Sequence, residues 1–251
     1  MPASEFPTNR LGPYRYVDQG RGSSVTPIVL LHGMLGDLSN WTNTIKELAA
    51  QGYRVLVPVL PVYDLPLNQT SVTGLVEYVH GFLKQMGIEQ TVLVGNSLGG
   101  QVALKFATLY PEMVRAMVLS GASGIYEVSI GTGTPRRKDK EFIRDRAAIT
   151  FYDPVHATDE LVDEMYEIVN DRPRVTRLIK MARSTKAEVV TDHLSSIVAP
   201  TLLIWGRDDV ITPPEVGEEF ARRMPNAYLS FIDRCGHAPM IEHPEEFNNL
   251  M

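Results

Sequence analysis

Cysteine is almost absent: Cys235 stands alone among 251 residues. A single thiol cannot close an intramolecular disulfide, which fits a reducing compartment. Long hydrophobic runs are also missing. The longest apolar stretches, such as Ile28 to Leu31 and Thr201 to Trp205, are strand-sized and fall far short of the roughly 20 residues that span a bilayer. Met1 to Pro7 carries no charged segment leading into an apolar one, so no secretory signal is expected. Basic charge is not in excess either. The 24 Lys and Arg against 30 Asp and Glu leave a net charge of -6, which gives no footprint for nucleic acid. The densest basic stretch, Arg136, Arg137, Lys138 and Lys140, is interrupted by Asp139 and Glu141 and reads as a solvated loop or helix start. There is no zinc-spaced cluster of Cys and His and no glycine-rich phosphate loop, so neither a metal nor another cofactor is expected. These absences point to a cytoplasmic protein with no nucleic-acid and no membrane partner.

What the chain does have is an alternation of short β-branched runs with longer helical patterns. Pro27–Leu31, Tyr53–Val59, Thr91–Val94, Ala116–Leu119, Thr201–Trp205 and Tyr228–Ile232 read as strands. Most are apolar at consecutive positions, as expected of parallel strands covered on both faces. Helices are expected over Trp41–Gln51, Val72–Met86, Leu98–Leu109 and Pro214–Arg223. For the last, Thr212 reads as a cap, Pro213 as a first-turn residue and Glu215 as the partner of a capping box. The class is α/β, with a doubly wound, mostly parallel sheet.

From about Gly124 to Ser195 the rhythm breaks. Helical stretches replace strands. Leu161, Met165 and Ile168 share one face behind Thr158 as a cap, and Val175, Leu178, Ile179 and Ala182 share another. The turn-rich stretch Gly131-Thr132-Gly133-Thr134-Pro135 precedes them. A crossover needs only a dozen or so residues, so this insertion reads as a lid. The expected organisation is a core of residues 1–123 and 196–251 with a helical lid over residues 124–195.

Gly95-Asn96-Ser97-Leu98-Gly99 follows an apolar strand and opens a helix, the setting of a G-x-S-x-G nucleophile elbow. The bend is so tight that side chains two residues either side of the serine would collide. The helix amino terminus beneath it favours developing negative charge. A serine hydroxyl needs a base. Of six histidines, His237 lies in the loop Cys235-Gly236-His237-Ala238-Pro239 just past the last apolar strand, where sites form in open α/β sheets. The carboxylate that orients it belongs at another strand end, and Asp208 and Asp209 both follow Trp205-Gly206-Arg207. The order Ser, Asp, His is that of this motif's fold.

These pieces carry a resemblance. The sequence is similar to the α/β-hydrolase superfamily over nearly its whole length, through His32-Gly33-Met34-Leu35-Gly36, Gly95 to Gly100, Gly206 to Pro213 and Gly236-His237. The resemblance selects Asp209, three residues after the strand-end glycine, with Asp208 as the alternative. It also implies that the amides of Met34 and Leu98 hold the oxyanion. His32 is a common structural element there, without a chemical role.

The leading expectation is a serine hydrolase that cleaves a carboxylic ester of a small molecule through an acyl-enzyme. A second reading is carbon–carbon hydrolysis of vinylogous diketones, because Gly95-Asn96-Ser97 and Trp205-Gly206-Arg207-Asp208-Asp209 also resemble meta-cleavage hydrolases. Ala238 departs from the aromatic that those proteins typically carry after the histidine, and no position in the insertion matches their pocket arginine. A third reading is a ligand-binding protein on the same fold. Tyr126, Phe151, Tyr152 and Tyr166 suit either an acyl pocket or the core of the insertion. Tyr126, Tyr152 and Met240 are the substrate-binding candidates. Arg136, Arg137 and Arg172 read as solvated.

Overall fold

The computed structural model describes residues 5–20, 26–36, 38–128 and 136–251. One sheet is built from β1 (Asn9–Leu11), β2 (Tyr14–Gln19), β3 (Ile28–Leu31), β4 (Val55–Pro58), β5 (Thr91–Asn96), β6 (Val114–Ser120), β7 (Thr201–Gly206) and β8 (Ala227–Ile232). Their spatial order is β1-β2-β4-β3-β5-β6-β7-β8. From β4 to β8 every pairing is parallel, whereas β2 runs antiparallel to both β1 and β4. The six strands read from sequence are all present, with ends shifted by a residue or two. β1 and β2 are additional. Tyr14-Arg15-Tyr16-Val17-Asp18-Gln19 mixes polar and apolar side chains and lies at the sheet edge with only Val17 fully covered, so it lacks the continuous apolar signature of the others.

Successive strand residues face opposite sides, and this divides the core in two. Val29, Leu31, Leu56, Leu93, Met117, Leu119, Leu203 and Trp205 point into one layer. That layer is closed by α2 (Val72–Gln85), α3 (Leu98–Leu109) and α7 (Pro214–Arg223). Ile28, Leu30, Val55, Val57, Val94, Val118 and Ile204 point into the other, against Trp41, Phe247 and α1 (Thr42–Ala50). Each such aliphatic side chain contributes about 1.5–3 kcal/mol on burial, which explains why apolar residues recur without alternation.

Between β6 and β7 lie α4 (Lys140–Ala148), α5 (Asp159–Asn170) and α6 (Arg172–Ala187). Side chains cap each start: Asp139 accepts from Phe142 N–H, Thr158 from Leu161 N–H and Asp171 from Arg174 N–H. Ile143, Ala147, Ala157, Val162 and Met165 form a small core of their own. On α5, Met165 and Ile168 are buried as expected, while Leu161 is half-buried. On α6 the expected apolar face does not hold: Ile179 is exposed, and Met181, Ser184 and Thr185 are the buried positions. The helix packs through Met181 in the core and through polar contacts, with Val72 N–H donating to Ser184 Oγ at 2.8 Å. Gly131 to Pro135 lies outside the described residues. Two short helices close the chain, α8 (Pro239–Glu242) and α9 (Pro244–Leu250). Among the described residues no helix is long and apolar enough to cross a membrane.

Candidate active site

β5 ends directly in the bend that carries Ser97. Ser97 has φ 54° and ψ −119°, a backbone conformation L-residues rarely adopt. Three main-chain bonds hold it: Ser97 N–H donates to Ser120 O, while Ser97 O accepts from Ser123 N–H and Gln101 N–H, each at 3.1 Å. The flanking glycines are required sterically. A β-carbon at Gly99 would overlap the Leu31 carbonyl, and one at Gly95 would overlap the Gly99 carbonyl. The bend leaves the serine half-exposed among buried neighbours, at the amino terminus of α3.

The carboxylate comes from the turn after β7. Asp209 is buried and saturated with donors. Its Oδ1 accepts from Ile211 N–H at 2.8 Å and Thr212 N–H at 3.0 Å. Its Oδ2 accepts from Thr212 Oγ1 at 2.8 Å and lies 2.8 Å from His237 Nδ1. Asp208 is exposed, so the structure separates the two aspartates that spacing alone left open. The reading of Thr212 as a helix cap is corrected here: α7 is preceded by Pro213 without a side-chain cap, because the Thr212 hydroxyl is drawn to Asp209.

His237 sits in the loop between β8 and α8, and three elements hold that loop. His237 N–H donates to Thr150 O at 2.8 Å, Asn96 Nδ2 donates to His237 O at 2.9 Å, and Gly236 N–H donates to Glu242 Oε1 at 2.8 Å. Burial of the imidazole opposes its protonation, but the charge of Asp209 and its hydrogen bond outweigh this. Glu127 and Glu242 act in the same direction, so the His237 pKa is raised above its ordinary value.

Past β3, His32 Nδ1 lies 2.8 Å from Gly33 O, and His32 Nε2 accepts from Leu60 N–H at 3.0 Å. Nε2 is an acceptor there, so the proton is on Nδ1. The ring is a brace for the Gly33–Met34 turn, in keeping with its expected structural role. A β-carbon on Gly33 would come within 3.3 Å of Ser97 Cβ, so this turn lies against the serine. Leu98, the first residue of α3, carries an N–H with no partner inside the helix.

Ser97 and His237 open onto one cavity of about 170 Å³. Gly33, Met34, Leu35 and Asn40 line it on one side, and Ala147, Phe151, Leu161 and Met165 line it from the insertion. No Lys or Arg is among its described lining residues. Among the described residues no group of three His, Cys, Asp or Glu side chains is placed to hold a metal ion.

The family described as the alpha/beta hydrolase fold matches residues 26–244. The chain belongs to that family. This hydrolase is 32% identical to a 2-hydroxy-6-oxo-6-phenylhexa-2,4-dienoate hydrolase from Burkholderia cepacia, over 93% of this chain and 87% of that one. Among solved structures it is similar to MGS-MChE2, an α/β hydrolase from a lagoon-sediment metagenome of Mar Chica, Morocco. That likeness has 38% identity and a TM-score of 0.80, over 97% of this chain and 95% of the other. It is also similar to the meta-cleavage product hydrolase CumD from Pseudomonas fluorescens IP01, with 29% identity and a TM-score of 0.81, over 94% and 92% of the two chains.

These relatives correct the leading expectation from sequence. The hydrolase resembles enzymes named for 6-oxo-dienoates, which contain no ester, so carboxylic ester hydrolysis gives way to the reading placed second. The pocket candidates are corrected too. Tyr126 and Tyr152 are exposed and Met240 is buried in the core, and none of the three lines the cavity. Tyr126 borders a separate surface recess with Glu127 and Lys186. Tyr166 packs on the core of the insertion, whereas Phe151 does reach the cavity. Arg136, Arg137 and Arg172 are exposed. The chain pattern did not single out Asn40, which lines the cavity, nor Thr150 and Tyr63, whose partners, His237 N–H and Met34 O, lie far away in sequence.

Proposed function

We propose that this hydrolase cleaves the carbon–carbon bond of a 2-hydroxy-6-oxo-2,4-dienoate, a ring-fission product of the meta-cleavage type. The observation that carries this reading is the likeness, over nearly the whole chain, to hydrolases named for such compounds. The site supplies the chemistry. Ser97 is the nucleophile, His237 the base, and Asp209 the carboxylate that orients it. The Met34 and Leu98 amides are the oxyanion donors. Residues 124–195 act as a lid over a core of 1–123 and 196–251, and Ala147, Phe151, Leu161 and Met165 present its apolar side to the substrate.

In its keto form the substrate carries a ketone at C6 and a methylene at C5. Ser97 Oγ adds to C6 as His237 takes its proton, and the new oxyanion is stabilised by two main-chain N–H groups, each typically worth about 3–4 kcal/mol. Collapse breaks the C5–C6 bond. Its electron pair moves into the conjugated fragment as far as the 2-oxo group, which accepts the proton from His237 and leaves as a 2-hydroxydienoate. Water, activated by the same imidazole, then releases the acyl group from Ser97 as a carboxylic acid.

Hydrolysis of 2-hydroxy-6-oxo-6-phenylhexa-2,4-dienoate in ¹⁸O-water tests this directly. Mass spectrometry should find benzoate carrying the label together with an unlabelled five-carbon hydroxydienoate. Recovery of intact substrate after prolonged incubation contradicts the proposal.

A further inference from the structure

Met34 has two flanking peptide groups, and each is held by a different part of the fold. The carbonyl before it, Gly33 O, lies 2.8 Å from His32 Nδ1 and accepts from Gly36 N–H at 3.3 Å. The carbonyl after it, Met34 O, accepts from the phenol of Tyr63 at 2.6 Å. Peptide units are planar, so fixing both carbonyls leaves Met34 no soft dihedral with which to swing its N–H. The His32 contact is local to the turn. The Tyr63 contact reaches across from the segment that follows β4.

That segment is built to be stiff. Leu60, Val62 and Leu65 are buried in the core. Leu60 N–H donates to His32 Nε2, and Asp64 N–H and Leu65 N–H both donate to Pro61 O. From the other side α6 grips it, with Arg177 Nε donating to Leu65 O at 2.8 Å and Lys180 Nζ to Leu67 O. Tyr63 therefore projects from a rigid mount. Burial, helped by Glu164 and opposed by Arg174, pushes the phenol pKa up, so the hydroxyl keeps its proton and remains a donor. In a half-buried site, a 2.6 Å bond from a neutral donor to the carbonyl that follows Gly33 by one residue is well suited to hold in place the turn that lies against the serine.

We propose that Tyr63 is a positioning residue of the oxyanion loop: by donating to the Met34 carbonyl it aims the Met34 N–H at the oxygen that becomes charged on Ser97. This rests on the reading of Met34 as an oxyanion donor. It assigns to Tyr63 an effect on the transition state that it exerts without touching substrate. Removing an oxyanion donor outright typically costs about 10²–10³ in rate. A donor that is present but released from its aim should cost less, about tenfold.

The test is Tyr63→Phe, which keeps the ring and removes only the hydroxyl. Its readout is the rate at which a fluorophosphonate labels Ser97, because the phosphoryl oxygen occupies the oxyanion position whatever the natural substrate is. Tyr63→Phe should label about tenfold more slowly than wild type, with kcat on a ring-fission substrate lower by a similar factor and KM little changed. An arylboronic acid that forms a tetrahedral adduct on Ser97 should lose affinity in parallel. A merely structural tyrosine would lower the melting temperature and leave these quantities alone. Wild-type labelling and boronate affinity in Tyr63→Phe overturn the proposal while leaving the Ser97 reading intact. Failure of the wild-type protein to label at Ser97 removes both.

Discussion

Asn96 Nδ2 lies 2.9 Å from the carbonyl oxygen of His237 and 3.0 Å from that of Ser120. The residue before the proposed nucleophile thus ties the loop of the proposed base to β5 and β6 at one buried point. Asn96→Ala strands the buried His237 carbonyl, at a cost of about 1–3 kcal/mol, and frees the histidine loop, while Ser120 O keeps the bond from Ser97 N–H. Denaturant unfolding should show that loss. Steady-state kinetics should show kcat reduced at least about tenfold, since small misplacements of catalytic groups are costly, with KM nearly unchanged. Wild-type kcat in this variant would mean that the bond serves stability alone.

The raised pKa of His237 sets a pH dependence. As the proposed base, His237 must be neutral to accept the serine proton, so kcat/KM should fall on the acid side with an apparent pKa above the ordinary imidazole value of about 6.5. Asp209→Asn removes the charge that raises it and leaves burial, which lowers it. The acid limb should then move to lower pH while the rate falls by about 10⁴. The stability linkage has the matching sign. A histidine with a raised folded pKa contributes stability that is fully present below about pH 6.5 and is lost as pH rises through the folded value. Urea titrations of wild type and His237→Ala across that window measure the difference.

Substrate charge should matter. No Lys or Arg is among the described residues that line the cavity, and Glu127 and Glu242 add negative charge near His237. A dienoate with a phenyl or short alkyl group on C6 should therefore be cleaved with higher kcat/KM than one with a second carboxylate on that side. Leu161 is half-buried on the lining, and Leu161→Arg should narrow that gap about tenfold or more by supplying a counter-charge. Competition between the two substrates reads this ratio.

Glu242 joins the insertion to the histidine loop, accepting from Gly236 N–H through Oε1 at 2.8 Å and from Tyr152 N–H through Oε2 at 2.7 Å. Glu242→Ala should raise KM as well as lower kcat, since it releases both the cavity wall at Phe151 and the loop at His237. Limited proteolysis should cut the insertion faster in this variant than in wild type.

Much of this is legible in the sequence. The parallel strands announced themselves because both faces of each are buried, and the elbow did so because steric need writes glycine at fixed positions. Thr212 shows where local pattern misleads: Thr212, Pro213 and Glu215 fit a helix start, yet a buried carboxylate three residues earlier takes the hydroxyl. Tyr126 and Tyr152 show the same limit for a cavity, since composition does not say which aromatic points inward. Phe151, next to Tyr152, does. Tyr63 left no trace in spacing, because its partner is a main-chain carbonyl 29 positions away. Bond type was open because one triad geometry serves esters and diketones alike, and only the likeness to named relatives separates them.

The most direct measurement follows the colour of 2-hydroxy-6-oxo-6-phenylhexa-2,4-dienoate with wild type and Ser97→Ala side by side. Wild type should bleach it with catalytic turnover, and Ser97→Ala should be slower by a factor of at least about 10³ while still folding cooperatively. Unbleached substrate with wild type, or equal rates in the two proteins, would contradict the account.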